Sequence, residues 1–349
     1  MYDSAMLNRR DFARLSLAAA ATTAIAPAQP SRPRPPLIKP KHLSPGDTVG
    51  LVLPASEAFE ADSIQLAKEQ LEAVGFKVVI GAHAFDKWGY FAGHDRDRAG
   101  DINRMFADDR IHGIVAYTGG WGSPRILPDL DFDLIARHPK VFMGYSDITA
   151  LLNPIHQRTG LVTFHGPVGV STFDPFTLKN FQRVVMTPEA AGLLEPPPKK
   201  PDELVDRENR VLRLAPGKGT GPLVGGNLTM VTSLMGTPYE VDTTGAIFFL
   251  EDVDEELYRI DRMLTQLALG GKFARIAGFV FGQCTRCGFK GPTFSLEEIL
   301  RDRFGSLPVP AISGLPFGHI DEILVLPIGV PATLDADAGT LRIDEPAVQ

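Results

Sequence analysis

The chain has 349 residues, 44% of them hydrophobic and 22% charged, with a formal net charge of −7. This length predicts two domains, each with its own hydrophobic core. An acidic chain without a long basic run is a poor match for a nucleic-acid-binding protein, so we expect no nucleic-acid partner.

The first segment has the features of an export signal. Arg9-Arg10 precedes an alanine-rich apolar run from Leu15 to Ala26, which ends in the small-residue sequence Ala-Pro-Ala. Such a pattern is typical of a signal peptide, and the paired arginines indicate the twin-arginine route to the periplasm. The alternative is a disordered tail that happens to contain two arginines. We predict a signal peptide over residues 1–28 and a tether over residues 29–44.

Membrane insertion is not expected elsewhere in the chain. The apolar run of the signal is shorter than the roughly 20 residues that a transmembrane helix needs, and no other stretch is apolar enough for a membrane span. We therefore expect no membrane span in the mature protein.

The next part of the chain alternates between strands and helices, over a domain predicted at residues 45–187. Single helices between successive strands predict an α/β fold with a parallel sheet and helices on both faces. The predicted strands are 49–53, 76–80, 111–117, 141–143 and 161–164, and the predicted helices are 64–74, 95–106 and one that begins near 148.

The composition changes over residues 188–218, where a proline-rich run predicts a linker. A second domain is predicted at residues 219–345. Its predicted elements are a helix opened by Gly225-Gly-Asn-Leu-Thr, strands at 246–250, 276–281 and 324–326, a helix with apolar residues at 257, 260, 264 and 267, and a closing hairpin at 333–343.

Ser146 lies where the 141–143 strand turns into a helix. A serine on such a turn has its hydroxyl raised above the sheet edge, beside the free N–H groups of the following helix. Those N–H groups can stabilise an oxyanion. The alternative is that Ser146 only caps the helix. Ile148 replaces the second glycine of G-x-S-x-G, so an α/β-hydrolase elbow fits poorly.

Two glycines follow the 111–117 strand, in the sequence Thr118-Gly-Gly-Trp-Gly. Ligands of parallel sheets gather at the carboxyl ends of strands, where Ser146 also lies. Gly119 and Gly120 allow backbone N–H groups to come close to a reacting carbonyl. The alternative is a turn that requires positive φ.

A carboxylate and a histidine complete a possible catalytic set. Glu251 follows four apolar residues at the end of the 246–250 strand, although it could also cap the next helix or pair with Arg259. His319 lies in a glycine-containing loop and could be an ordinary loop histidine. The order Ser146, Glu251, His319 supplies a nucleophile, an orienting acid and a general base, provided that the fold brings them together.

Cys284 and Cys287 have the C-x-x-C spacing of redox motifs. Two cysteines cannot fill a four-ligand zinc site, and these two follow a buried strand. Packed thiols or a local disulfide are therefore the favoured interpretation, and we expect no metal ion and no cofactor.

The chain resembles the serine LD-carboxypeptidases, which comprise muramoyltetrapeptide carboxypeptidases and the related microcin-immunity peptidases. The resemblance covers Leu37 to Ile343. Four separated blocks carry it in order: Gly144-Tyr-Ser-Asp-Ile-Thr-Ala-Leu, Gly225-Gly-Asn-Leu, Leu250-Glu-Asp-Val-Asp-Glu-Glu-Leu-Tyr-Arg-Ile-Asp-Arg-Met-Leu, and Gly318-His with Leu326-Pro-Ile-Gly.

The resemblance implies a flavodoxin-like N-terminal domain, a smaller C-terminal α/β domain, an active site between them, and a homodimer. It makes Ser146 the nucleophile, His319 the base and Glu251 the orienting carboxylate. The implied oxyanion donors are the N–H groups of Asp147 and of Gly119 or Gly120. Two positions near the implied substrate site depart from the family pattern: Thr118 stands where arginine is frequent, and Trp121 where tyrosine is common.

The implied reaction is hydrolysis of the bond between an L-centre of diaminopimelate or lysine and the terminal D-alanine of a murein tetrapeptide. Export would place this activity in the periplasm, on the wall or its fragments. One alternative is an immunity-type peptidase that acts on a peptide or aminoacyl-nucleotide antibiotic. Another is an exported solute-binding protein that holds a peptide without cleaving it, and such a protein has no need of a Ser–Glu–His set.

Overall fold

The computed structural model describes residues 35–199, 204–205 and 209–349. Residues Pro35–Gln349 form one compact unit. The predicted signal peptide and the first part of the predicted tether lie outside the described residues.

The strands pair into two sheets. They are β1 (Thr48–Val52), β2 (Lys77–Ile80), β3 (Gly113–Ala116), β4 (Val141–Gly144), β5 (Thr163–His165), β6 (Ala190–Leu194), β7 (Leu212–Ala215), β8 (Lys218–Asn227), β9 (Ile247–Val253), β10 (Gly278–Thr285), β11 (Ala311–Ser313), β12 (Leu326–Ile328), β13 (Pro331–Asp335) and β14 (Thr340–Pro346).

Helices connect most of these strands. They are α1 (Ala61–Val74), α2 (Asp95–Ala107), α3 (Ser123–Ile126), α4 (Phe132–Arg137), α5 (Thr149–Thr159), α6 (Pro175–Val185), α7 (Leu228–Ser233), α8 (Leu257–Leu269) and α9 (Leu296–Phe304), with short 3₁₀ turns at Leu127–Asp129 and Ser146–Ile148.

The first sheet has the order β12-β5-β4-β3-β1-β2. Strands β1 to β5 are parallel, and β12 runs antiparallel to β5 at one edge. All residues of β3 and β4 are buried, as expected for strands covered on both faces. The parallel order 2-1-3-4-5 is that of flavodoxin-like folds, in which ligands bind where β1 and β3 diverge. The predicted fold class is confirmed.

The second sheet has eight strands, in the order β6-β14-β13-β8-β9-β10-β11-β7. Its centre is parallel, from β8 to β11, and its outer strands pair antiparallel. Helix α8 packs its apolar stripe, at the predicted positions 257, 260, 264 and 267, into a core of this sheet. The predicted hairpin is formed by β13 and β14.

The segment 188–218 differs from the expected linker. It contains β6 and β7, which form the two edges of the second sheet, and the first residue of β8. In the chain, the proline-rich run falls after β6 and before β7. Edge strands depend on pairing with distant neighbours, here β14 and β11, so the local composition did not reveal them. In the part of the chain that the structure describes, no helix is long and apolar enough to cross a membrane.

Candidate active site

Ser146 occupies a strained turn directly after β4. Its φ of +61° lies in the left-handed region, where residues other than glycine are uncommon. Such strain tends to be retained at functional positions. The 3₁₀ turn Ser146–Ile148 and the helix α5 follow, and the side chain of Ser146 caps neither. The hydroxyl instead lies 2.9 Å from Nε2 of His319.

His319 connects Ser146 to a buried carboxylate. Its Nδ1 lies 2.8 Å from Oε2 of Glu251. The Glu251 side chain is fully buried, whereas 19% of the His319 side chain is exposed. The Glu251 carboxylate accepts a hydrogen bond from Nδ1–H, which leaves Nε2 of the neutral imidazole as the acceptor for the Ser146 hydroxyl. The structure therefore brings the three predicted residues into one hydrogen-bonded chain.

Glycine at position 318 permits the contact between the His319 loop and Glu251. Gly318 has a φ of +111°, and a Cβ at this position would lie 2.5 Å from Oε2 of Glu251. The other interpretations of Glu251 do not apply. Arg259 contacts Tyr258 and Glu255, and helix α8 begins without a side-chain cap.

Hydrogen bonds between helix α5 and strand β8 of the second sheet fix the distance from Ser146 to Glu251. Asn153 on α5 donates to the Gly225 carbonyl at 2.8 Å and accepts from its N–H at 3.2 Å. The backbone N–H of Asn227 donates to the Thr149 hydroxyl at 3.0 Å. Asn227 is paired in register with Glu251 on β9. Helix α5, which follows the Ser146 turn, is thus attached to the strand beside the one that carries Glu251.

The Gly119 loop lies against the Ser146 turn, as the sequence predicts for two strand ends. A Cβ on Gly119 would lie 2.9 Å from the Ser146 hydroxyl oxygen and 3.2 Å from the backbone nitrogen of Asp147. Gly120 has a φ of +99°. The absence of a side chain at Gly119 leaves room for backbone N–H groups beside the Ser146 hydroxyl, and the absence of one at Gly120 makes room for Ser56.

Trp121 follows this loop with 54% of its surface exposed. Its ring centroid lies 6.3 Å from that of Tyr90, which is 57% exposed. Exposed aromatic side chains of this kind can provide contact area for a ligand.

Two buried aspartates beside the triad have raised pKa values. Burial raises the pKa of Asp147 to about 6, although hydrogen bonds from Ser123 act in the opposite direction. Burial, together with the negative charge of Glu251, raises the pKa of Asp252 to about 6. Burial also lowers the pKa of His165 to about 4, so this histidine is neutral at physiological pH.

The possible metal ligands and the cysteines lie outside the hydrogen-bonded chain. His83, Asp86 and Asp97 offer ligand atoms within 4.8 Å of one another, but His83 Nδ1 already lies 2.8 Å from Asp86. Cys284 and Cys287 form a disulfide, one of the two favoured interpretations.

Comparison with known families decides the identity of the fold. Residues 49–166 match the LD-carboxypeptidase N-terminal domain, and residues 220–334 match the LD-carboxypeptidase C-terminal domain. The chain belongs to the LD-carboxypeptidase family. It is therefore related to peptidases, and the four sequence blocks that suggested this family all fall within the matched ranges.

Individual relatives agree with this assignment. A probable murein peptide carboxypeptidase of Bacillus subtilis is 40% identical over 314 residues, which cover 88% of this chain and 94% of the relative. A murein tetrapeptide carboxypeptidase of Pseudomonas aeruginosa is 32% identical, over 83% and 93% of the two chains. The solved structure of the microcin C7 self-immunity protein MccF superposes with a TM-score of 0.81 and 26% identity, over 89% of this chain and 100% of the other.

Some residues of this LD-carboxypeptidase site were not predicted from the sequence. Thr149, Asn153 and Asn227 attach the Ser146 helix to the second sheet, and Ser56 and Arg98 contact the glycine loop. Thr149 and Asn153 lie one turn apart in the first part of helix α5, where the other buried residues are apolar. Such polar positions on a buried helix face were the signal that could have identified them.

Proposed function

We propose that this LD-carboxypeptidase is a serine peptidase that removes the terminal D-alanine from murein tetrapeptides. The observation that carries the proposal is the hydrogen-bonded chain from Ser146 through His319 to Glu251, with distances of 2.9 Å and 2.8 Å. A serine, a base and an orienting carboxylate in this arrangement are what acyl transfer to a hydroxyl requires.

In the first step, the Ser146 oxygen attacks the carbonyl carbon of the scissile amide while Nε2 of His319 accepts the hydroxyl proton. The imidazolium that forms is stabilised by Glu251 through Nδ1–H. The negative charge on the carbonyl oxygen is stabilised by backbone N–H groups of Asp147 and of Gly119 or Gly120. His319 then donates its proton to the leaving nitrogen, which departs as the amine of D-alanine.

In the second step, water attacks the ester that links the peptide to Ser146. His319 accepts a proton from the water and returns it to the Ser146 oxygen, so the peptide leaves as a carboxylate and the enzyme is restored. The burial of Glu251 supports this cycle, because a low-dielectric site strengthens the interaction of a carboxylate with an imidazolium.

Murein peptides are the proposed substrate because relatives with that activity in their names are 40% and 32% identical over most of the chain. The likeness to MccF supports a second candidate, a peptidase for an aminoacyl-nucleotide antibiotic. We also propose that the protein is exported by the twin-arginine route, acts in the periplasm and forms a homodimer. The Arg9-Arg10 segment supports the route.

Mass spectrometry of product mixtures tests the proposal. Purified protein is incubated with murein tetrapeptide, with the pentapeptide that ends in D-Ala–D-Ala, and with an aminoacyl-nucleotide. We expect release of D-alanine from the tetrapeptide and little action on the pentapeptide. Inverting the carbon beside the scissile carbonyl displaces the reacting atoms, and a shift of about 1 Å can cost on the order of 10² in rate.

Other outcomes separate the alternatives. Comparable rates on tetrapeptide and pentapeptide would contradict an L,D-specific pocket. Cleavage of the aminoacyl-nucleotide without release of D-alanine would favour the immunity-type activity. Binding of the tetrapeptide without cleavage of any substrate would favour a solute-binding protein.

A further inference from the structure

Three loops meet beside the Ser146 hydroxyl, each at the carboxyl end of a strand in the first sheet. They follow β1, β3 and β4, and contain Ser56, Gly119 and Asp147 respectively. The first two lie at the divergence of β1 and β3, where flavodoxin-like folds bind ligands. The polar contacts between these loops determine where their backbone N–H groups point.

Ser56 holds the Gly119–Gly120 peptide in one orientation. Its hydroxyl donates to the Gly119 carbonyl at 3.0 Å, and its backbone N–H approaches the same oxygen at 3.4 Å. In a trans peptide the C=O and N–H groups point in opposite directions. Because the carbonyl faces Ser56, the Gly120 N–H points away from it, and this N–H has no backbone acceptor among the described residues.

The side chain of Asp147 connects the nucleophile turn to the same glycine loop. It is only 2% exposed, and its Oδ2 accepts from the Ser123 N–H at 2.7 Å. Ser123 follows Gly119 by four positions in the chain. The Asp147 carboxylate therefore fixes the spacing between its own backbone N–H and the peptide that Ser56 orients.

Arg98 connects the loops that follow β1 and β3 through hydrogen bonds of its guanidinium group. It is 1% exposed, and Nη1 donates to the Pro54 carbonyl at 2.5 Å and to the Gly122 carbonyl at 3.2 Å. Its positive charge also favours the ionised form of Asp147. A buried guanidinium that binds the loops after β1 and β3 together resists their separation.

We propose that Ser56 and the carboxylate of Asp147 are positioning residues for the two oxyanion N–H groups. The proposal rests on the proposed serine mechanism, and it assigns to these side chains no contact with the substrate. Ser56 sets the direction in which the Gly120 N–H points. The Asp147 carboxylate sets the distance between the Gly120 N–H and the backbone N–H of Asp147. Both effects act on the charge that develops in the transition state.

This role makes a specific kinetic prediction. Loss of one oxyanion donor lowers kcat about 10²–10³-fold in serine peptidases, so a misdirected donor should cost somewhat less. Interactions made only in the transition state lower kcat and leave KM largely unchanged. We expect Ser56→Ala to lower kcat roughly 10- to 100-fold with KM within about twofold.

The Asp147 side chain offers a graded test. Asp147→Asn retains an oxygen that can accept from the Ser123 N–H, whereas Asp147→Ala removes the acceptor. We expect the alanine variant to lose at least tenfold more kcat than the asparagine variant. The matched control is Ser233→Ala, because the exposed Ser233 hydroxyl also donates to a backbone carbonyl, that of Met230 at 2.9 Å.

A second readout separates this proposal from the substrate assignment. The rate at which a fluorophosphonate labels Ser146 depends on the nucleophile and the oxyanion groups, whatever the natural substrate is. We expect Ser56→Ala to be labelled at least tenfold more slowly than wild type and Ser233→Ala at the wild-type rate. Labelling at the wild-type rate in a folded Ser56→Ala protein would overturn the proposal. Failure of wild type to release D-alanine, with labelling intact, would contradict only the proposed substrate.

Discussion

Replacement of Glu251 by glutamine removes one negative charge from a fully buried position and keeps the volume of the side chain. In the wild type, Oε2 lies 2.8 Å from Nδ1 of His319, and Oε1 has no hydrogen-bond partner among the described residues. The glutamine can place either its oxygen or its NH₂ group toward His319. The two orientations damage catalysis in different ways.

With the oxygen toward His319, the tautomer is retained but the imidazolium loses its counter-charge. The NH₂ group then occupies the buried position of Oε1, and an unsatisfied donor there costs about 1–3 kcal/mol. With the NH₂ group toward His319, Nδ1 becomes an acceptor and Nε2 carries the proton. Nε2 faces the Ser146 hydroxyl at 2.9 Å, so in this tautomer it cannot accept the serine proton.

The second orientation sets the expected magnitude. The same change from carboxylate to amide in the triad of a serine protease lowers kcat about 10⁴-fold through the wrong tautomer. A loss of this size corresponds to about 5.5 kcal/mol in the activation barrier. We expect a comparable loss in Glu251→Gln. The protein should remain folded, because glutamine keeps the volume of the side chain and a hydrogen bond to Nδ1 of His319 in either orientation.

The assay is kcat for release of D-alanine from murein tetrapeptide, with Tm measured on the same preparations. Glu255→Gln is the matched control, since Glu255 belongs to the same acidic block and its side chain is 20% exposed. We expect this control to stay within about threefold of wild type, as is usual for a partly exposed substitution outside the triad. A folded Glu251→Gln enzyme within tenfold of wild type would refute the orienting role of Glu251.

Further predictions concern the nucleophile, the pH dependence of stability, the disulfide and export. Ser146→Ala should lower kcat about 10⁶-fold without unfolding the protein. Turnover within tenfold of wild type would exclude Ser146 as the nucleophile. The pKa of Asp147 rises from 3.8 to about 6 on burial, so folded Asp147 binds a proton more tightly than unfolded Asp147. The contribution of Asp147 to the free energy of unfolding should therefore fall by up to about 3 kcal/mol as the pH rises from roughly 4 to 6. Denaturant titrations of Asp147→Asn should show a decline smaller by this amount, because Asp252, whose pKa is also raised to about 6, still titrates there. Serine at both Cys284 and Cys287 should leave kcat largely intact, whereas a hundredfold loss would point to a redox role. Replacement of Arg9 and Arg10 by lysine should block export in a cell-fractionation assay. If the variant still reaches the periplasm, the segment belongs to a different export route or is a tail.

The positions of the three site residues could be predicted because each lies at the end of an apolar strand or in a glycine-containing loop. Ser146 follows β4, Glu251 lies near the end of β9, and His319 follows Gly318. Parallel strands bring such ends to one edge of their own sheet. Because β4 and β9 belong to different sheets, this rule alone does not predict the approach of Ser146 to Glu251. Assignment of their roles also required the family resemblance, because local pattern alone favoured a helix cap for Ser146 and either a helix cap or an ion pair with Arg259 for Glu251.

Arg98 shows what the sequence could not reveal. Its helix carries many charges, and that composition predicts a solvated face. In the structure, Arg98 is buried on that helix, because carbonyl groups of two distant loops accept the guanidinium hydrogens. Backbone carbonyls leave no trace in a residue pattern, so a buried cation that binds them is identified only from the tertiary structure. The edge strands β6 and β7 escaped prediction for a related reason, since their partners are remote in the chain.

The hydrogen bond between Ser146 and His319 joins residues 173 positions apart, and the loop of His319 is followed by β12, which completes the edge of the first sheet. Synthesis at roughly 5–20 residues per second therefore leaves an interval of about 9 to 35 s between the two residues on the ribosome. During that interval the parallel strands β1 to β5 are available to pair, yet the Ser146 hydroxyl has no base. Under the proposed mechanism, the nascent chain therefore carries an inert serine until His319 has been made and the strand that follows its loop, β12, has paired with β5.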